Sequence, residues 1–463
     1  MSLIQKTARE ILSLLQSGEV TRGEVLDALE ARVGEVDGKI NALPTLCFDR
    51  ARARADAASG VLGGLPVAIK DTNALAGVRT TQGSPIYADH VPEASDYVTT
   101  RIEENGGLAY AKSNVPEFAA GSQTFNPVFG ATRNPWNLSR TVGGSSGGAA
   151  AALVSGQAWL AQGSDLGGSL RNPASFCGCV GYRPSPGIVP AGPSDPFNVM
   201  PQQGPMGRNV GDTGLLLDAM AGAHPREPFA QPDMGSFRVA AETPVVPKRV
   251  AYSADLGITP VDAEVRRITE AAARRFEALG AVVEEAHPDY SGARDAFQTL
   301  RGIGFVAKHG QHYRDHKDKL KDDIIWNIEH GFAQTGADVA AANLTRGRMT
   351  ASHADLFQTY DLLLAPTAIV PPFSVDMAAV MECEGVAFEN YIDWMMIVAA
   401  VTMTSAPALS LPCGFTTDGL PIGLQMIGGL HGDAALLSHA AALEAELALD
   451  LGPIDPREGA APG

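Results

Sequence analysis

The sequence predicts an α/β fold in which helices cover both faces of a mixed β-sheet. Short apolar strands alternate with helices from about residue 96 to residue 221, and this alternation is typical of layered α/β folds. The 463 residues are 45% hydrophobic, which is ample for a large buried core. The 50 glycines and 31 prolines suit the many turns that such a fold needs.

The chain opens with two amphipathic helices that we expect to pack on the main body. Residues 2–5 are predicted to form a capping box for the first helix, and residues 21–24 one for the second. A third helix is predicted over residues 96–105, where two glycines end it. Residues 108–111 are predicted to form the next strand.

The later elements follow a proline-rich surface connection at residues 224–247. They are predicted at residues 249–252 (strand), 262–279 (helix), 282–283 (strand), 287–347 (charged helices), 399–406 (end of a helix), 408–412 and 420–427 (paired strands) and 433–449 (helix). The tail from residue 452 is predicted to be frayed.

Two glycine-flanked serine clusters, at residues 143–148 and 167–169, are the most informative feature of the chain. A serine hydroxyl is a poor nucleophile unless a base takes its proton, and the charge formed on the attacked carbonyl must meet waiting donors. Glycines let the backbone present N–H groups where a side chain would block approach. The second cluster therefore predicts a nucleophile set in its own oxyanion hole, in preference to a flexible linker.

A local Ser-His pair is absent, because no histidine occurs between His90 and His224. A histidine from elsewhere in the chain could still fold in, but Lys70 is the better candidate for the base. Residues 67–69 form a short apolar strand that would carry this lysine from the core to a strand end. A free lysine titrates near a pKa of ~10.4, and a base useful at neutral pH needs roughly 7–8. Apolar neighbours lower the pKa in that direction. Alone, a lysine at this place is more often a solvated strand end.

These motifs together resemble the amidase signature family. The matching segments are Lys70, residues 143–148, residues 163–174, residues 176–178, residues 181–184, residues 204–206, residues 360–367 and residues 407–425. The resemblance covers nearly the whole chain and is weakest between about residues 225 and 347. It implies the layered mixed-sheet fold and an enzyme that cleaves amides.

The resemblance implies a Ser-Ser-Lys triad. Ser169 would be the nucleophile that accepts the acyl group. Ser145, which follows a cis peptide bond after Gly144, would relay the proton of Ser169. Lys70 would be the neutral base. The family's oxyanion hole implies backbone N–H donors from Leu166, Gly167, Gly168 and Ser169. Its supporting network implies Ser146, Asp165 and Arg171, with Asp165 and Arg171 as a pair that holds the loop.

One domain, residues 1–463, is expected. Its regions are N-terminal helices (1–60), the catalytic core (61–222), a variable region (223–350) and a C-terminal completion of the core (351–463). The family uses the variable region to shape the substrate pocket. The implied activity is cleavage of a small carboxamide to a carboxylate plus ammonia or amine. An alternative is the similar A subunit of the tRNA-dependent amidotransferase, and a weaker one is a non-catalytic scaffold on the same fold.

The chain is somewhat short for the amidotransferase alternative and lacks its glycine- and tyrosine-rich segment after the central region. The sequence does not specify which amide is cleaved: aliphatic, aryl, ureide and hydrazide substrates share the machinery. A homodimer is plausible for the family.

No metal or organic cofactor is expected. His309, His312 and His316 lie at helical spacing among charged residues, which favours a solvated helix face over a metal site. Cys177 and Cys179 have no second pair that would complete a zinc site, and five cysteines in all do not suggest a disulfide framework. Reduced thiols in a cytoplasm are the simple inference.

Several other classes are disfavoured. Neither glycine block continues into a phosphate-binding Gly-Lys-Ser/Thr, and no dinucleotide motif opens a helix. A formal charge of −17 argues against an extended nucleic-acid surface. No secretory leader is expected at the N-terminus, and the longest apolar stretch, near residues 394–403, is too short to cross a bilayer.

Overall fold

The computed structural model describes residues 2–190, 197–231 and 234–458. Within these ranges the α-helices are α1 Ala8–Ser17, α2 Arg22–Ile40, α3 Phe48–Arg54, α4 Tyr97–Glu104, α5 Gly147–Val154, α6 Arg171–Cys177, α7 Val210–Met220, α8 Phe237–Glu242, α9 Ala263–Ala278, α10 Ala293–His316, α11 Asp322–Ala333, α12 Gly336–Leu356, α13 Met396–Thr404 and α14 Asp433–Leu447.

The strands in the same ranges are mostly short. They are β1 Thr45–Leu46, β2 Pro66–Lys70, β3 Leu108–Ser113, β4 Phe125–Asn126, β5 Gly130–Ala131, β6 Arg133–Asn134, β7 Asn137–Thr141, β8 Leu160–Asp165, β9 Val180–Arg183, β10 Gln202–Gly207, β11 Arg249–Tyr252, β12 Val282–Glu285, β13 Leu362–Pro366, β14 Glu382–Cys383, β15 Val386–Ala387, β16 Ala408–Phe415 and β17 Pro421–Ile427.

The central sheet has eleven strands among the described residues, in the order β1-β3-β2-β8-β10-β9-β16-β17-β13-β11-β12. It is mixed: β2 is parallel to both β3 and β8, whereas β8, β10, β9, β16, β17 and β13 follow one another antiparallel. Strands β11 and β12 extend the far edge in parallel. The predicted α/β fold with a mixed sheet is therefore confirmed, and the predicted variable region adds two of its strands.

The first predicted capping box is wrong, and the second is confirmed. Helix α1 begins after Thr7, whose hydroxyl accepts from the Glu10 amide at 3.2 Å while the Glu10 carboxylate accepts from the Thr7 amide at 2.7 Å. The same reciprocal pair joins Thr21 and Glu24 at the start of α2. At the first helix, Thr7 rather than Ser2 is followed three residues later by an acidic side chain that reaches back.

Most of the other predicted elements are present with small shifts at their ends. The predicted third helix and following strand are α4 and β3, and the predicted hairpin is the β16–β17 pair. The charged region from residue 287 forms α10, α11 and α12. Among the described residues, no helix is both long enough and apolar enough to cross a bilayer.

Candidate active site

Two neighbouring strands and two helix starts converge at one edge of the sheet. Strand β2 ends at Lys70, and the parallel strand β8 ends at Asp165, with Val67 paired to Leu160 further back. Helix α5 begins at Gly147, within the first serine cluster, and α6 begins two residues after Ser169. Because parallel strands end at the same edge, this arrangement brings the residues of both glycine-rich clusters to the end of β2.

The amine of Lys70 lies among hydroxyl groups rather than beside a carboxylate. Its Nζ is 2.8 Å from Ser145 Oγ and 2.8 Å from Ser146 Oγ. The same nitrogen is 2.9 Å from the hydroxyl of Ser164 and 3.3 Å from its carbonyl oxygen. The backbone N–H of Lys70 donates to Gln162 Oε1 at 3.1 Å, which holds the end of β2 against β8.

Burial sets the protonation state of Lys70. The residue is fully shielded from solvent, and the loss of hydration lowers the pKa of its amine to about 7. That value includes the attraction of the Asp165 carboxylate, which raises the pKa, and the smaller repulsion by Lys308 on α10, which lowers it. A large fraction of the amine is therefore neutral near pH 7, as a proton acceptor must be.

The segment that carries Ser145 is joined through the backbone to the segment that carries Ser169. The peptide bond between Gly144 and Ser145 is cis, as the resemblance implied. The amide of Ser146 donates to the carbonyl oxygen of Ser169 at 3.1 Å, so the first cluster is tied to the second. Ser145 is 1% exposed, whereas Ser169 is only partly buried. Solvent therefore reaches the predicted nucleophile but not the predicted relay.

Asp165 organises the loop that carries Ser169. Arg171 binds it in a bidentate manner, with Nε 3.0 Å from Oδ2 and Nη2 2.9 Å from Oδ1. Arg183 donates to the Asp165 backbone oxygen at 2.6 Å. The charges of Arg171 and Arg183 hold the pKa of this carboxyl well below its usual range despite complete burial. Asp165 and Arg171 thus form the loop-holding pair that the resemblance implied.

One of the four predicted oxyanion donors has a hydrogen-bond partner of its own in this structure. The N–H of Gly168 donates to Asp165 Oδ1 at 2.9 Å and is therefore engaged by the carboxylate. Within the described part of the chain, the N–H groups of Leu166, Gly167 and Ser169 have no such partner. The sequence does not distinguish these four amides. Which of them donates to Asp165 depends on the direction of that side chain in the folded loop.

Glycine is required at residue 168 by both conformation and space. Its φ is +100°, a region that side chains with a Cβ rarely adopt. A Cβ there would lie 2.5 Å from Val398 Cγ2, and one at Gly167 would lie 3.1 Å from Phe297 Cζ. Apolar side chains from α10 and α13 therefore pack directly against this loop.

Sequence reasoning missed several contacts of the site. Ser164 Oγ is a direct partner of Lys70, although residue 164 lies inside one of the matching motifs. Arg171 also donates to Gln425 Oε1 at 2.6 Å and to Thr402 Oγ1 at 3.0 Å. Residue 425 is the last residue of a matching segment, so the sequence motif could have indicated its place near the site. Thr402 lies outside the matching segments, and only the folded chain brings α13 to α6.

The prediction of a solvated histidine face on α10 is wrong for two of the three residues. His309 is 3% exposed, and its ring packs on Phe118 with centroids 4.4 Å apart. His312 Nε2 lies 2.8 Å from the Tyr87 hydroxyl. Burial lowers the pKa of both imidazoles. The face is covered because α10 packs on the loop that carries Phe118.

The thiols and metal-ligating groups do not form a second centre in the part of the chain that the structure describes. All five cysteines are free, and Cys177 and Cys179 are buried, which raises the pKa of both thiols. No three histidine, cysteine or acidic side chains of the described residues cluster as metal ligands would.

The fold and the site define a class of α/β enzymes in which a buried lysine contacts serine hydroxyl groups next to a glycine-rich loop. Comparison with known proteins gives the family: residues 24–437 match the Amidase family model. The chain belongs to the amidase family and is a hydrolase that acts on amide C–N bonds.

Relatives of two kinds are similar over almost their whole length. An acylamidase of Rhodococcus erythropolis is 34% identical over 458 residues, 95% of each chain. The A subunit of the glutamyl-tRNA(Gln) amidotransferase of Halothermothrix orenii is 32% identical over 478 residues, 96% of this chain and 98% of that one. Among solved structures, a bacterial aryl acylamidase of the amidase signature family superposes with a TM-score of 0.90 at 28% identity, covering 96% of both chains.

Proposed function

We propose that the enzyme hydrolyses a small carboxamide through an acyl-enzyme on Ser169, with Ser145 as proton relay and Lys70 as base. The observation that carries this proposal is the contact of the buried, partly neutral Lys70 amine with the Ser145 hydroxyl at 2.8 Å. A neutral amine has one lone pair, which accepts the Ser145 hydroxyl proton. Its two N–H groups then donate to the hydroxyl oxygens of Ser146 and Ser164.

The first half-reaction forms an ester and breaks the amide. Ser169 Oγ bonds to the carbonyl carbon while its proton passes to Ser145, and the Ser145 proton passes to Lys70. The negative charge on the carbonyl oxygen is met by the N–H groups of Leu166, Gly167 and Ser169, and one such donor is typically worth about 10²–10³ in rate. The Lys70 ammonium returns a proton through Ser145 to the departing nitrogen, so an amine or ammonia leaves.

The second half-reaction releases the acid. Water gives its proton to the same relay and attacks the acyl-enzyme carbonyl, and the ester bond to Ser169 breaks. The hydroxyl of Ser169 regains a proton from the relay, and the carboxylate product departs. The enzyme ends in its starting protonation state, and the steps use only these side chains, the loop amides and water.

The surroundings of the loop favour an uncharged acyl group. Phe297 and Val398 pack against the glycines that precede Ser169, and the adjoining Leu166 is partly exposed. Similarity to an acylamidase and to an aryl acylamidase supports the same choice. We therefore propose an aryl or aliphatic acyl amide as the substrate class.

The test is a panel of aliphatic amides, aryl amides, ureides and hydrazides, assayed for release of amine and ammonia. We expect turnover of acyl amides, and a fall of about 10³-fold or more in the Ser169→Ala variant with unchanged thermal unfolding. Ser139→Ala, at an exposed serine, is the matched control and should keep full activity. Full activity of Ser169→Ala would remove this serine as the nucleophile.

The second candidate function is that of the A subunit of a tRNA-dependent amidotransferase, favoured by 32% identity over nearly the whole of both chains. That function would require partner proteins and a tRNA. Glutaminase activity that appears only with those partners and charged tRNA would select it. Hydrolysis of acyl amides by the isolated chain would select the amidase.

A further inference from the structure

The peptide unit before Ser145 is held by a chain of two side-chain hydrogen bonds that starts on helix α6. Asn172 Nδ2 donates to Ser122 Oγ at 2.9 Å, and Ser122 Oγ donates to the carbonyl oxygen of Gly144 at 3.2 Å. Asn172 and Ser122 are 1% and 3% exposed. A path of two buried contacts therefore links the backbone on one side of Ser145 to the helix that follows Ser169.

A second tie lies on the other side of Ser145. The amide of Ser146 donates to the carbonyl oxygen of Ser169 at 3.1 Å. The backbone next to Ser145 is thus attached, before and after it, to the segment that carries Ser169. Because proton transfer needs the two hydroxyl groups within hydrogen-bond reach, attachment on both sides fixes the spacing on which the relay depends.

The position of Asn172 is suited to this task. A Cβ at Gly168 would lie 2.9 Å from Asn172 Nδ2, so the amide lies against the residue just before Ser169. Its other end, Oδ1, is buried and accepts no hydrogen bond from the described residues. A buried carbonyl oxygen without a donor costs free energy, so a residue chosen for stability alone would be apolar.

We propose that Asn172, acting through Ser122, is a positioning residue that sets the Ser145 hydroxyl relative to Ser169. This inference rests on the proposed function, because it takes Ser145 as the relay. Asn172 does not touch the reacting atoms; it acts on the backbone that presents them. Loss of the Asn172–Ser122 hydrogen bond should therefore slow the proton-transfer step. It should not change the pKa of Lys70, because the amine contacts neither Asn172 nor Ser122.

The test substitutes Asn172→Leu, which keeps the side-chain size and removes the amide. We expect kcat to fall about tenfold to a hundredfold with little change in KM, because a small misplacement of a relay group is costly. The rate at which a fluorophosphonate labels Ser169 should fall by a similar factor, and the pH midpoint of activity should stay in place. Thermal stability should be unchanged or higher.

Ser122→Ala and Ser122→Thr test the same hydrogen-bonded path independently if Asn172→Leu does not fold. Loss of the hydroxyl in Ser122→Ala should reproduce the fall in kcat, and Ser122→Thr, which keeps it, should restore most of the activity. The Ser122→Ala/Asn172→Leu double variant should be no slower than either single variant, since both interrupt one path.

Asn134→Leu is the matched control for a structural role. Asn134 is also buried and donates to the carbonyl oxygens of Thr141 and Phe176, at 3.0 and 2.8 Å. It should lose stability with a smaller effect on kcat. Undiminished kcat and labelling in Asn172→Leu, or losses that follow stability as in Asn134→Leu, would overturn the positioning role. Full activity of Ser169→Ala would instead overturn the proposed function.

Discussion

The side-chain amine of Lys70 lies 2.8 Å from the hydroxyl oxygen of Ser145, and both groups are shielded from solvent. The contacts of the amine are hydroxyl and carbonyl oxygens, and no carboxylate among the residues that the structure describes is hydrogen-bonded to it. Burial therefore lowers the pKa of Lys70 to about 7. This relationship makes a lysine usable as a base at neutral pH, where histidine is the more common choice.

The pH profile should report the titration of Lys70. Only the neutral amine accepts a proton, so kcat/KM should rise as pH increases through about 7 and then level off. The measurement is kcat/KM for an acyl amide from about one and a half pH units below that midpoint to about two above it, at constant ionic strength. A rate that is flat over this range, or that falls as pH rises through the midpoint, would contradict the assignment of the base.

Removing the charge of Lys308 should move that midpoint upward. Lys308 repels the protonated form of Lys70, so Lys308→Met should raise the pKa of Lys70. We expect the acidic limb to shift to higher pH by less than about one unit, because solvent and salt screen the interaction. Lys319→Met, which removes an exposed lysine just beyond the same helix, is the control and should leave the midpoint unchanged. A downward shift in Lys308→Met would refute the prediction.

Lys70→Met should abolish activity and change how stability depends on pH. The pKa of Lys70 is about 7 in the folded chain against 10.5 for a free lysine, so the unfolded chain binds one more proton between those values. Wild-type stability relative to the variant should therefore rise with pH, by roughly 1.4 kcal/mol per unit between those two pKa values, and stay constant below the lower one. Denaturant unfolding at several pH values measures it, and parallel curves for the two proteins would disprove it.

Asp165→Asn should be strongly destabilising. The substitution leaves Arg171 and Arg183, both fully buried, without their counter-charge, and breaking such a buried pair typically costs about 3–5 kcal/mol. The free energy of unfolding in denaturant is the measurement. Glu284→Gln is the control, because its pair with Arg249 is exposed and should cost less than about 1 kcal/mol. Equal losses in the two variants would argue against a structural role for the buried pair.

The grouping of Lys70 with Ser145 and Ser146 was predictable from the sequence because these residues lie in short, ordered motifs. Lys70 ends an apolar run, which predicts a strand that carries it from the core to a strand end, and Lys70 is the last residue of β2. Asp165 and Arg171 are six residues apart, so their pairing is a local property of one loop. The resemblance added the cis peptide bond after Gly144, which local patterns alone do not predict.

The long-range contacts were not predictable. Arg171 reaches Gln425, which lies 254 residues further along the chain, and Asn172 reaches Ser122 across 50 residues. The burial of His309 depends on how α10 packs against the loop of Phe118. In each case the sequence shows the residue type, and only the tertiary packing selects the partner.

The most direct test is to trap the acyl-enzyme. An acyl amide substrate is mixed with the enzyme, the reaction is quenched in acid within milliseconds, and the peptides are mapped by mass spectrometry. We predict that the acyl mass appears on Ser169 and is absent from Ser169→Ala. Product formation with the acyl group on another residue, or at a normal rate in Ser169→Ala, would contradict the assignment of Ser169 as the nucleophile.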